Sequence, residues 1–253
     1  MNINFPEKKI FYYPSLHSTN KKAKELMQSE TLSEGSVILT SDQKQGRGYG
    51  TNKWESQPGK NLTASFILKP SFIKPQRQFV ITQVLSLAVL SFVNHFYDGE
   101  KVISIKWPND IYAGNNKIAG ILAENIIMGD KIHTTIAGIG ININQLEFSA
   151  HLPNPVSLLM LTNRETNPEV ALNILYQQIF KWYAFLQNSN ITGLKIKYLK
   201  NLYRYNLKSR FRTNELGTFD GSITGIDELG RLKIKTNDGK TNLFSFKEVE
   251  FLI

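Results

Sequence analysis

The feature of this sequence that most constrains its fold is a series of strand-like segments interrupted by one long apolar helical segment. Apolar and β-branched residues are concentrated at 37–41, 62–68, 102–107, 117–126 and 132–143, which we expect to form strands. Between the second and third of these, residues 75–97 repeat apolar side chains at helical spacing, and Pro75 suits a first turn. The pattern therefore predicts a sheet accompanied by helices.

Further helices are predicted on either side of this region, and short strands at the C-terminal end. One short helix begins at 18–20, a second begins at Asn167-Pro168-Glu169, and a third runs from 192 to about 205. After Asn206, short strands at 219–226, 231–235 and 243–246 are separated by glycine-containing turns. We therefore expect a large domain at 1–205 and a small β domain at 206–253.

Composition narrows the function classes. The chain has 253 residues with 41% hydrophobic and 20% charged, which is typical of a globular protein. The absence of cysteine excludes disulfides and thiolate metal sites, and no histidine pair has metal-ligand spacing, so no protein-held metal is predicted. The N-terminal residues lack a secretory signal and the most apolar window, 79–93, is interrupted by polar residues, which favours a cytoplasmic protein without a membrane partner. The net charge of +9 favours an anionic partner.

The first segment that suggests chemistry is the loop 43–50, Gln-Lys-Gln-Gly-Arg-Gly-Tyr-Gly, which follows a predicted strand. Alternate glycines let backbone N–H groups approach an oxyanion while the arginine neutralises it. A plain flexible turn is the competing interpretation. A dinucleotide fingerprint fits less well, because no helix follows the loop and Pro70 stands where an acidic residue would be expected.

Two further segments carry polar or glycine residues inside apolar strands. Residues 106–112, Lys-Trp-Pro-Asn-Asp-Ile-Tyr, are followed by a turn and by 117–124, Lys-Ile-Ala-Gly-Ile-Leu-Ala-Glu. This arrangement suits a ligand at the sheet, although a surface hairpin explains it as well. In 137–144, Gly138 and Gly140 stand where side chains would normally project, so either another group packs on bare backbone or the strand bulges.

Taken together, these segments resemble the biotin protein ligases. The matching residues, in the family's order and spacing, are Ser18-Thr19-Asn20, Gln43 with Gly46-Arg47-Gly48, Trp54, Lys106 to Asp110, Lys117 to Leu122 and Gly138 to Asn142. The resemblance implies an α+β fold: a mixed β-sheet catalytic domain with flanking helices, like class II synthetases and lipoate ligases, followed by a small SH3-like β-barrel.

The resemblance also implies roles for individual residues. Biotin would be held by Ser18, Thr19, Asn20, Gln43, Arg47, Gly48, Tyr49, Lys117, Gly120, Leu122, Gly138 and Gly140. ATP or the adenylate would be held by Arg47, Trp54, Asn109, Lys117 and Asn142. Arg47 and Lys117 would be catalytic, because biotin's carboxylate must attack a phosphate and the transition state therefore concentrates negative charge. Magnesium would arrive bound to the ATP phosphates.

One position departs from the family pattern. Many relatives read Gly-Arg-Gly-Arg-Arg-Gly, whereas Tyr49 and Gly50 replace the last two arginines here. Since tyrosine cannot neutralise a phosphate, either Arg47 and Lys117 suffice or another cation, such as Lys53, compensates.

The expected partner is the biotin carboxyl carrier domain of a biotin-dependent carboxylase, and family resemblance suggests a homodimer. Because only seventeen residues precede Ser18, no DNA-binding module is expected. Two alternatives remain: a lipoate ligase with the same adenylation chemistry, and a basic RNA-binding protein, which the charged stretch 195–212 would favour. Trp54 and the segment 106–110 favour biotin, and no aromatic ribonucleoprotein motif is present.

Overall fold

A computed structural model describes residues 5–29, 32–188 and 191–252, so the outermost ends of the two predicted domains lie outside the described residues. In the first part of the chain the elements are β1 (Ile10–Leu16), α1 (Thr19–Ser29), β2 (Val37–Gln43), β3 (Gly46–Arg47), β4 (Lys53–Trp54), β5 (Leu62–Leu68), α2 (Phe79–Phe96), β6 (Ile103–Lys106), β7 (Asp110–Ala113), β8 (Asn116–Met128) and β9 (Lys131–Ile141). They are followed by α3 (Leu158–Thr162), α4 (Pro168–Gln187), α5 (Ile191–Lys200), β10 (Lys208–Thr213), β11 (Gly217–Ile226), β12 (Leu232–Thr236), β13 (Thr241–Phe244) and β14 (Glu250–Phe251).

The first sheet has seven strands in the order β1-β2-β5-β9-β8-β7-β6. β1 and β2 pair in parallel and the other neighbours are antiparallel, so the predicted mixed sheet with flanking helices is confirmed. All five predicted strands belong to this sheet. β5 is buried along its whole length, which explains why its sequence is a continuous apolar run rather than an alternating one.

The long predicted helix is α2, preceded by a short 3-10 turn at Pro75–Arg77. The segment Pro75–Phe96 has the length and apolarity of a membrane-spanning helix, but most of it is buried inside the molecule, as in a core helix. α4 packs along α2, and Trp182 of α4 donates a hydrogen bond to Ser91 Oγ at 3.0 Å. The predicted start of α4 is confirmed, since Asn167 accepts hydrogen bonds from the backbone N–H groups of Glu169 and Val170.

The predicted end of the third helix is wrong. α5 stops at Lys200, because the next residues pair with β6: the N–H of Ile105 donates to the carbonyl of Asn201, and the N–H of Tyr203 donates to the carbonyl of Ile105, both at 2.8 Å. The residues that follow form β10, a strand that the sequence pattern did not predict. The basic stretch 195–212 is therefore only partly helical, and Arg212 in its strand portion pairs with Glu250 at 2.7 Å.

The second sheet is antiparallel, in the order β13-β12-β11-β10-β14, and contains the three predicted short strands. It packs against the first sheet: the buried indole of Trp107 donates a hydrogen bond to the carbonyl of Gly230 at 2.9 Å. Buried residues of both sheets form one continuous core. A barrel closure of SH3 type, and a domain boundary at 205/206, stay predictions.

Candidate active site

One cavity lies where the start of α1, the loop between β2 and β4, the centre of β8 and β9 and the segment after β13 meet. It brings together residues that are far apart in sequence. The predicted site residues that line it are Ser18, Thr19, Asn20, Gln43, Arg47, Gly48, Tyr49, Trp54, Asn109, Lys117, Gly120, Leu122, Gly138 and Gly140. The residues that line it without having been predicted as site residues are Asn52, Lys53, Thr63, Pro108, Asp110, Ile121, Ile139, Phe246 and Lys247.

The uncharged polar end of the cavity is built at the first turn of α1. Ser18, Thr19 and Asn20 are buried, although each carries a polar side chain. The backbone N–H of Thr19 donates a hydrogen bond to Gln43 Oε1 at 2.9 Å. Backbone N–H groups in the first turn of a helix have no partner within the helix, and this one instead holds the side chain of Gln43 at the end of β2. Thr19 Oγ1 donates to the same atom at 3.3 Å. This end can exchange hydrogen bonds with a neutral polar ligand.

Asn20 ties the helix to the sheet. Its Oδ1 accepts a hydrogen bond from Ser65 Oγ at 2.6 Å, and its Nδ2 donates to Glu124 Oε2 at 2.7 Å. Burial raises the pKa of Glu124, but hydrogen bonds from Lys24 and Asn20 outweigh it, so the net pKa is below its ordinary value. A Cβ built on Gly138 would lie 2.9 Å from Asn20 Cγ, so this position has no room for a side chain.

The floor of the cavity is bare backbone covered by Trp54. Gly120 and Gly140 lie opposite each other in the β8–β9 pair, and a Cβ on Gly140 would be 2.6 Å from Trp54 Nε1. The irregularities of register in β8 lie elsewhere, at 126–127 and opposite 111–112, so these glycines serve close packing rather than a bulge. Trp54 Nε1 is buried and has no hydrogen-bond partner among the described residues.

Part of the cavity wall is positively charged. Arg47, Lys53, Lys117 and Lys247 line it, with Asp110 as the carboxylate. Lys117 Nζ lies 2.8 Å from Asp110 Oδ1 and 5.9 Å from the ring centroid of Trp54. With a net excess of cations beside a flat apolar surface, this end suits an anion.

Asn142 and Lys106 belong to the matching segments but do not line the cavity. Asn142 is buried, and its Nδ2 donates a hydrogen bond to the carbonyl of Val156 at 3.0 Å, so the structure does not bring it to the predicted adenine contact. Lys106 Nζ contacts Tyr112 OH at 3.1 Å and lies 5.4 Å from the ring centroid of Phe251, on the side of the second sheet. Burial lowers the pKa of Lys106.

Phe246 and Lys247 line the cavity although no sequence signal indicates them. They follow β13 in the second sheet, and nothing in their local pattern indicates a site. In the part of the chain that the structure describes, no group of three His, Asp or Glu residues is arranged to hold a metal ion.

The cavity presents uncharged polar groups together with several cations, so it suits a small, partly neutral ligand next to an anion. Residues 12–142 match the biotin/lipoate A/B protein ligase family, and the chain belongs to that family. It is 30% identical over 240 residues to the bifunctional ligase/repressor BirA of Bacillus subtilis, covering 93% of this chain and 72% of that protein. It is 27% identical over 230 residues to the biotin–[acetyl-CoA-carboxylase] ligase of Paracoccus denitrificans, covering 88% of this chain and 92% of that protein.

The fold agrees with that assignment. The biotin protein ligase of Aquifex aeolicus, solved in complex with biotin and ATP, superposes with a TM-score of 0.79 at 24% identity, covering 97% of this chain and 99% of that chain. The resemblance to biotin protein ligases in the sequence motifs is therefore confirmed.

Proposed function

We propose that this protein is an ATP-dependent biotin protein ligase, which converts biotin to biotinyl-5'-AMP and transfers the biotin to a lysine of a biotin carboxyl carrier domain. The observation that carries the proposal is the convergence, in one cavity, of a neutral polar end, a glycine floor and a cluster of cations. The ring of biotin needs uncharged polar partners, and its carboxylate and the ATP phosphates need cations.

The neutral end suits the ureido ring of biotin, which presents one carbonyl and two N–H groups. Ser18 and Thr19 carry hydroxyls that can donate, and Gln43 carries an amide that can both donate and accept. The Trp54 indole packs on the bare backbone at Gly120 and Gly140, so a flat aromatic face lies in the cavity wall beside the apolar part of the ligand. Biotin's carboxylate would then point toward the cations.

The cations suit the reaction of two anions. The carboxylate oxygen of biotin attacks the α-phosphorus of ATP, a new O–P bond forms, and the P–O bond to the β-phosphate breaks so that pyrophosphate leaves. Arg47 and Lys117 stabilise the negative charge that accumulates as the bond forms. Magnesium enters as part of the MgATP substrate. In the second step the acceptor lysine attacks the acyl carbonyl, and AMP leaves.

A carrier domain as acceptor is supported by the similarity to the Paracoccus relative, a biotin–[acetyl-CoA-carboxylase] ligase. The excess of positive charge would favour an acidic acceptor surface. β1 lies at the edge of the first sheet, where pairing with a second copy would build the homodimer. A cytoplasmic location and the absence of DNA and membrane partners complete the proposal, and fractionation of cells that express the chain tests the location.

The test is incubation of the protein with MgATP, labelled biotin and a purified carrier domain. We expect pyrophosphate release that depends on biotin, and label on one lysine of the acceptor. Lipoate in place of biotin is the control for the lipoate alternative, and filter binding of RNA at physiological salt is the control for the RNA-binding alternative. Label transferred from lipoate but not from biotin, or tight RNA binding without pyrophosphate release, would contradict the proposal.

A further inference from the structure

The outer wall of the cavity is supplied by the second sheet. Lys247 follows β13 and has a left-handed backbone with φ of 71°, an uncommon conformation for a residue with a side chain. Its Nζ lies 3.4 Å from Thr51 Oγ1, and a Cβ on Gly50 would be 2.6 Å from the same nitrogen. The glycine loop therefore leaves space for this ammonium group at the mouth of the cavity.

The side chain of Tyr49 contacts the same segment after β13. Its ring makes an edge-on contact with Phe246, with centroids 5.3 Å apart and an interplanar angle of 85°. Phe246 in turn packs against the buried Trp107, with centroids 5.2 Å apart. The side chain at position 49 is thus used for a contact with the second sheet, and this contact places the loop beside Lys247.

Lys247 also differs from Lys117 in its electrostatic surroundings. The ammonium of Lys117 is partly neutralised by Asp110 at 2.8 Å. Lys247 is exposed and forms no ion pair with a carboxylate in the described part of the chain. Its charge is therefore available to a ligand at the mouth.

We propose that Lys247 binds the β- and γ-phosphates of ATP and stabilises pyrophosphate as the leaving group, in place of a cation at position 49. This proposal rests on the proposed function. In the reaction, the electron pair of the breaking P–O bond passes to the pyrophosphate, which must depart through the mouth while the acyl-adenylate stays inside. A cation at the mouth therefore contacts the departing pyrophosphate, whereas Lys117 and Arg47 contact the acyl-adenylate that remains.

The test separates adenylate synthesis from transfer. In Lys247→Gln we expect the KM for ATP to rise, and biotin-dependent pyrophosphate release at subsaturating ATP to fall, by about ten- to a hundredfold, the range for one charge-assisted hydrogen bond. Affinity for biotin alone, and transfer from chemically prepared biotinyl-adenylate to the carrier domain, should not change. Lys247→Arg should restore ATP use, and Lys235→Gln, which removes an exposed lysine from the neighbouring strand, should behave as wild type.

A second variant separates the effect of the lysine charge from the effect of the left-handed backbone conformation. Lys247→Gly removes the ammonium but relieves the left-handed conformation, so it should be at least as stable as wild type in thermal unfolding and yet as defective with ATP as Lys247→Gln. If transfer from prepared adenylate slows as much as synthesis, Lys247 acts on the loop or the adenylate and the proposal is wrong. Unchanged ATP kinetics would also overturn it. A wild-type protein that releases no pyrophosphate would refute the proposed function itself.

Discussion

Replacement of Lys117 by methionine should separate the stability of the fold from the chemistry of the site. The Lys117 and Asp110 side chains are 33% and 29% exposed, so their ion pair lies near water. Pairs of this kind contribute about 0.2–1 kcal/mol. Methionine keeps much of the apolar stem beside Trp54, and the free energy of unfolding should therefore fall by less than about 1 kcal/mol. For a chain of this size that corresponds to about 2–4 °C in Tm.

The loss in adenylation should be much larger. In the proposed mechanism, Lys117 stabilises the negative charge that develops between biotin's carboxylate and the α-phosphate. Removal of one group that stabilises transition-state charge typically lowers the rate by about 10²–10³, or roughly 2.7–4 kcal/mol. Affinity for biotin alone should change little, because the contacts at Thr19 and Gln43 are left intact.

Biotin-dependent exchange of pyrophosphate into ATP measures the first step, calorimetry measures biotin affinity, and thermal unfolding measures stability. Asp110→Asn is the companion variant: it breaks the same ion pair but leaves the cation, so exchange should persist. If exchange in Lys117→Met stays within about tenfold of wild type, equivalent to ~1.4 kcal/mol, the cation has no such role. If Asp110→Asn loses as much activity as Lys117→Met, the ion pair rather than the charge of Lys117 is required.

Three other expectations follow from the same cavity. Gly138→Ala should displace Asn20, leave buried polar atoms unpaired at about 1–3 kcal/mol each, and weaken biotin binding in calorimetry far more than Gly120→Ala, whose Cβ would come no closer than 3.3 Å to Trp54 and 3.5 Å to Lys117. Ligand binding beside Trp54 should change the protein's intrinsic fluorescence, and the change should be absent from Trp54→Phe. Since the pKa of Glu124 is lowered on folding, its stabilising contribution is present above the ordinary value of 4.5 and is lost as pH falls through the lowered value. The difference in unfolding free energy between wild type and Glu124→Gln should therefore shrink below pH 4.5.

The parts of the fold that the sequence predicted are those with local causes. β5 has the predicted bounds because a short, continuous apolar run with β-branched residues suits a fully buried strand. α4 begins where predicted because the Asn167 side chain satisfies backbone N–H groups that no helix turn can satisfy. The end of α5 was missed because it depends on backbone hydrogen bonds of Asn201 and Tyr203 with Ile105, a residue distant in sequence that leaves no local signal.

The candidate site likewise contains residues with a local sequence signal and residues without one. Its polar end and glycine floor come from segments whose composition is unusual for a strand or a helix start. Phe246 and Lys247 come from a second sheet, and their place at the cavity depends on the packing of Trp107 against Gly230 and Phe246. Such a contact joins residues more than a hundred positions apart, and no local pattern encodes it.

Asn142 shows where a correct rule of strand geometry stops applying. Residues 138, 140 and 142 have the same parity, and strict alternation would place all three on the face that forms the cavity. The strand ends at Ile141, however, and the carbonyl of Asn142 accepts a hydrogen bond from the N–H of Leu158. Its side chain donates to the carbonyl of Val156, so the carbonyl and the side chain of Asn142 are both hydrogen-bonded to residues 156–158 at the start of α3. The amide at 142 therefore stabilises the wall behind the site, and the adenine contact stays a prediction for Trp54 and Asn109, which do line the cavity.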